Sequence, residues 1–176
     1  MNSSRKILIP LATVLAAGAV AVGSGATFTS ESKNTISAVT SGTLTHSNSK
    51  AGAAIFNLTD IKPGDTVNGD LTLTNTGSLP ATFGLTETLS ENGFAGSNLS
   101  LTITNTTTNA VVYTGTFGGL VDGAKTNLGE VAPGAVNAYR FSVKLAQDAP
   151  NAEQGKTASA TYTWDSVQLA GQTTNQ

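Results

Sequence analysis

From Val67 to Thr74 apolar and polar residues alternate. Val67, Leu71 and Leu73 fall on one face, and Asn68, Asp70, Thr72 and Thr74 on the other. A period of two marks a strand with one face buried and one wet. Upstream, Pro63-Gly64 predicts a tight turn, because Pro presets φ at the first central position and Gly accepts φ > 0 at the second. Asn75 to Ser78 ends the strand with turn residues. The unit then returns without a gap. Leu128, Glu130, Val131, Pro133, Gly134, Phe141, Ser142 and Val143 stand where Leu58, Asp60, Ile61, Pro63, Gly64, Leu71, Thr72 and Leu73 stood. Two copies are too few for a solenoid; they predict two matching halves of one sandwich.

The rest of the chain follows the same grammar. Ile36, Ala38, Val39 and Leu44 are strand-like, Ser47 to Gly52 reads as a polar turn, and Ala54, Phe56 and Leu58 alternate as another strand. Ala81, Phe83 and Leu85 alternate, with Leu89 in the same phase. Glu87 shares that inward phase, so a bulge or a strand edge is expected there. Leu99, Leu101 and Ile103 form a further strand, Asn105 to Asn109 a polar connection, and Val111-Val112-Tyr113 a short apolar run. Gly115 to Gly123 predicts a long loop or broken strand. Tyr139, Phe141, Val143 and Leu145 share one face against Arg140, Ser142 and Lys144. Ala158, Ala160, Tyr162 and Trp164 make the last long strand, with Val167 and Leu169 out of phase and Trp164 a core anchor. No stretch carries a capped helical period. The expected fold is all-β, a jelly-roll-like antiparallel β-sandwich of about eight or nine strands.

Composition sharpens this reading. Charged residues are 11% of the 176, well under the usual quarter, so hydroxyls and amides must wet the outer faces. The chain has no cysteine, which excludes disulfides and Cys-based zinc sites. A net charge of −2 gives no electrostatic footprint for nucleic acid.

The first residues read as an export signal. Arg5 and Lys6 form a positive n-region, Ile7 to Val22 is mostly apolar, and Ser24-Gly25-Ala26 puts small residues before a cleavage site. The apolar run is shorter than the roughly 20 residues of a spanning helix. The expected organisation is a signal peptide over 1–26, a polar N-terminal extension over 27–37, one sandwich domain over 38–170 and a frayed tail over 171–176. Thr27 becomes the mature N-terminus, with no membrane association after cleavage.

Candidate chemistry is sparse. His46 is the one histidine; a catalytic zinc normally takes three protein ligands, so a solvated turn histidine is the better reading, and a Ser-His-Asp arrangement the weaker one. Asp60, Asp65 and Asp70 surround the first Pro-Gly turn and could offer oxygens to calcium; solvated turn carboxylates are the simpler account. No catalytic, cofactor-binding or metal residue is assigned, and no enzyme activity is expected.

At the level of motifs, the S-G-A end of the leader followed by T-F-T-S-E, the segment V-T-S-G-T-L at 39–44, L-T-D-I-K-P-G-D at 58–65 and N-T-G-S-L at 75–79 resemble the TasA/camelysin family, secreted proteins whose leaders are cut by a SipW-type signal peptidase. The resemblance implies a jelly-roll domain acting outside the cell as a biofilm-matrix fibre subunit. It further implies donor-strand complementation, in which residues 27–37 complete the sheet of the next subunit with Phe28 and Ile36 as anchors. The implied partners are copies of the same chain, the signal peptidase during export, and other matrix or cell-surface components. Two alternatives stand beside it: a camelysin-like secreted metallopeptidase, and a wall-associated carbohydrate-binding β-sandwich.

Overall fold

A computed structural model describes residues 29–31, 42–56 and 60–172 of the chain. Its strands are β1 (Thr29–Glu31), β2 (His46–Asn48), β3 (Thr66–Asn75), β4 (Ala81–Asn92), β5 (Leu99–Asn105), β6 (Ala110–Thr116), β7 (Lys125–Val131), β8 (Val136–Leu145) and β9 (Ala158–Gln168). A single 3-10 turn at Asn151–Glu153 is the only helical element among the described residues. The protein is all-β, with one antiparallel sheet in the order β1-β9-β4-β7 and a second in the order β2-β3-β8-β5-β6. Leaving β2 aside, the hairpin-like pairs are nested: β1 with β9, β3 with β8, β4 with β7 and β5 with β6.

The inner faces carry the residues that alternation picked out. Leu71, Leu73, Phe141 and Val143 of one sheet and Phe83, Leu85 and Trp164 of the other are each at most 4% exposed. Aromatic rings join the layers: Phe141 lies 5.2 Å from Tyr162, and Tyr139 lies 5.8 Å from Trp164. Each such side chain contributes about 1.5–3 kcal/mol by leaving water, so the ring layer is the main support of the sandwich.

The two copies of the turn-and-strand unit lie side by side as β3 and β8. Their turns are built alike, with Gly64 at φ 93° and Gly134 at φ 74°, a region open to Gly at no steric cost. Each turn fastens the end of the other copy's strand. Gly64 N–H donates to Leu145 O and Gly134 N–H to Asn75 O, while Leu145 N–H donates to Asp65 O and Asn75 N–H to Ala135 O.

Several expectations need correction. Ala54 to Phe56 forms no strand; it runs irregularly along β3, with the Ile55 carbonyl against the bare Cα of Gly69 and Phe56 seated 6.5 Å from Phe141. The expected turn at Ser47 to Gly52 begins inside β2, which pairs with Leu73 to Asn75. β7 has no alternation strong enough to reveal it, because it is a polar edge strand. The bulge expected at Glu87 is present: the β4–β9 register shifts between Glu87 and Leu89. That extra residue reverses the phase, and Leu89 turns outward to 60% exposure instead of joining the core.

Candidate functional site

The outer edge of β9 is covered only in part among the described residues. β9 is 11 residues long, yet β1 covers only its end, with Thr29 opposite Val167, Ser30 opposite Ser166 and Glu31 opposite Asp165. Among the described residues no strand lies beside Ala158 to Trp164 on that side. Exposed strand edge is a row of unpaired N–H and C=O groups, ready to template another strand.

A polar network backs the segment that β1 does cover. Ser166 points inward and is fully buried; its Oγ lies 3.1 Å from His46 Nδ1. His46 sits in β2 of the opposite sheet, its ring edge-on to Phe83 at 5.6 Å, so this contact ties the two sheets together at the β1 docking point. Burial holds the imidazole below its ordinary pKa, and the nearby Asp165 charge opposes that in part. Asp165 itself faces the other side of the sheet, where Lys125 Nζ donates to it. Gly84 makes the room: a Cβ there would stand 2.6 Å from Asp165 Oδ1 and 2.9 Å from Lys125 Cδ.

His46 is therefore a half-buried link between sheets, which corrects the solvated-turn reading. Serine, histidine and aspartate do gather, but not as a nucleophilic triad. The Ser166 hydroxyl is sealed inside the sandwich, and Asp165 lies on the opposite face from Ser166, paired with Lys125. One signal for Ser166 was available in the sequence: it continues the inward phase of Tyr162 and Trp164 as a polar residue.

Asp60, Asp65 and Asp70 are not brought into one cluster. Asp70 takes a bidentate pair of bonds from Arg140, at 2.8 and 3.0 Å. Asp65 accepts from the Lys62 N–H at 3.0 Å, closing its own turn. Asp60 adopts φ 55°. Ser24, Ala26, Thr27, Phe28 and Ile36, the expected cleavage and donor-strand residues, lie outside the described residues. Among the described residues no helix is long and apolar enough to cross a membrane.

The fold and this edge define a protein of two packed antiparallel sheets with, among the described residues, one long strand edge left largely open. Residues 4–89 match the model of the camelysin metallo-endopeptidase family. That stretch is just under half of the chain, and over it the sequence is similar to this family, in keeping with the resemblance to TasA/camelysin proteins. No curated protein matches the chain.

The family's description implies a metal centre. Catalytic zinc is ordinarily held by three protein ligands, most often His with a carboxylate. Among the described residues no group of three or more His, Cys, Asp or Glu side chains is placed to hold an ion, and the sole histidine turns Nδ1 to Ser166. The described residues do not fit such a centre.

Proposed function

We propose that the chain is an exported structural subunit, cut after Ala26 by a SipW-type signal peptidase, that assembles into extracellular matrix fibres by donor-strand complementation. The observation that carries this reading is the β9 edge, an 11-residue strand covered, among the described residues, by three residues of the N-terminal extension. Main-chain bonding over three residues is a weak hold, whereas an incoming strand can pair along the remaining edge and seat alternate side chains. β1 acts as a placeholder until the corresponding segment of another copy, running from Thr27 and anchored by Phe28 and Ile36, replaces it. The sheet orders support a jelly roll: without β2 they read β1-β9-β4-β7 and β3-β8-β5-β6, one long nested hairpin rolled into two four-stranded layers. The family match supports the matrix role and equally names the alternative, a secreted peptidase.

Protein beginning at Thr27 is expected to form fibres visible by electron microscopy and to sediment as polymer, and a form lacking residues 27–35 to stay monomeric. Protein that is monomeric at every concentration sinks the proposal. Zinc-dependent casein hydrolysis abolished by a chelator establishes the peptidase in its place, and retention of monomer on polysaccharide establishes the binding module.

A further inference from the structure

The bulge in β4 creates a second polar feature, far along the strand from the β1 edge. Before the bulge the inward residues are Ala81, Phe83, Leu85 and Glu87; beyond it they are Ser90 and Asn92. Glu87 and Ser90 thus flank the bulge on the same inner face. Glu87 is completely buried, and neither carboxylate oxygen receives a well-formed hydrogen bond. The hydroxyl of Tyr162, directly opposite in the ladder, is buried beside this carboxyl without closing a well-formed bond to it.

Over this spot lies the loop from Phe117 to Ala124 that joins β6 to β7. It is pegged to β4 at both ends, by Asn92 Nδ2 donating to Phe117 O at 2.9 Å and by Gly123 N–H donating to Glu87 O at 2.8 Å. Between the pegs it turns two oxygens toward Ser90: Asp122 Oδ1 at 3.3 Å and Gly118 O at 3.4 Å from Ser90 Oγ. One hydroxyl proton cannot serve both acceptors, and both distances are long. No ion pair among the described residues involves Glu87 or Asp122. Burial raises the Glu87 carboxyl above its ordinary range; the hydroxyls of Tyr162 and Ser90 act against this, and the Asp122 charge adds to it. Glu87 and Ser90 share the inner face of β4, and the bond from Gly123 N–H to Glu87 O brings the neighbouring Asp122 alongside them.

We propose that Glu87, Ser90, Asp122 and the Gly118 carbonyl form a binding site for a hard divalent cation, calcium. The donors are all oxygen, two of them from carboxylates, which suits calcium and not zinc. Glu87 can bind through both oxygens, and water from the exposed Asp122 side completes the usual six to eight ligands, roughly. The ion supplies the positive partner that a buried carboxylate otherwise lacks. It also staples the loop between the two sheets to the inner face of β4.

Terbium, which replaces calcium on oxygen ligands, tests the site on the purified protein, with Tyr113 and Tyr162 as nearby sensitisers. Wild type should show tyrosine-sensitised terbium emission that millimolar calcium displaces, and calcium should raise its Tm. Asp122→Asn, at an exposed position, should weaken binding by about tenfold or more and remove the calcium effect on Tm; Glu87→Gln should do the same. Asp65→Asn, in the Pro-Gly turn, should leave both readouts unchanged. Absence of sensitised emission and of any calcium effect in wild type overturns the proposal. Loss of binding in Asp65→Asn, with binding kept in Asp122→Asn, overturns it in favour of the turn aspartates.

Discussion

Asp70 and Arg140 occupy the same place in the two copies of one turn-and-strand unit, and they face each other across the β3–β8 ladder. The neighbouring equivalents do not meet: Leu71 pairs with Tyr139 and Phe141 with Gly69. In this register the repeated strand lies antiparallel beside its own copy so that one position opposes itself. Identical copies would set aspartate against aspartate there, and like charges directly opposite destabilise a sheet. The copies have kept the apolar pattern and the Pro-Gly turn, which the shared core requires. They differ in charge at the self-opposing point, where a carboxylate and a guanidinium pair instead.

The comparison is broken most severely in the core. Phe141 stacks near Phe56, Tyr162 and Trp164, whereas its equivalent Leu71 fills less space. Phe141→Ala should cost about 4 kcal/mol and Leu71→Ala about 3 kcal/mol, read from urea unfolding; equal losses would mean that the second copy does not dominate the ring layer. The turns come next. Both glycines hold positive φ, so Gly134→Ala should cost about 1 kcal/mol of left-handed strain. Gly64→Ala should cost more, because its new Cβ also meets the Gln147 amide, while Gly134 faces open space; thermal melts of the two variants rank them.

The charge pair gives the smallest effect, since both side chains are about half exposed, 57% and 49%, and surface pairs are screened. Arg140→Asp should lower the urea midpoint, and Asp70→Arg in the same chain should restore it, with the difference shrinking in high salt. The pair also sets a pH dependence. Hydrogen bonds from Arg140 hold the Asp70 carboxyl below its ordinary value of 3.8. Its contribution is therefore present above that value and lost as pH falls through the depressed one. Asp70→Asn should flatten that acid limb.

What the sequence made legible was whatever the core enforces through periodicity. The long strands β3, β4, β5, β8 and β9, the two Pro-Gly turns and the Glu87 bulge all leave a mark, because a phase slip there would expose a buried face. Edge strands carry no such penalty. β2 is three residues long and β7 is broken by Gly129, so neither shows alternation. Leu89 looked like core because the bulge was counted without the phase reversal it brings. The His46–Ser166 contact joins residues 120 positions apart, and no local pattern reports such a meeting. The oxygens around Ser90 were equally hidden, since Asp122 and Gly118 reach it from a glycine-rich loop on the far side of β5 and β6.

Nested pairing has a consequence for the birth of the molecule. β9 separates β1 from β4 in its sheet, so that layer stays split until β9 itself has been made. Pairings between such distant segments close slowly. A chain still lacking β9 can therefore form its second sheet but cannot close the layer that covers it.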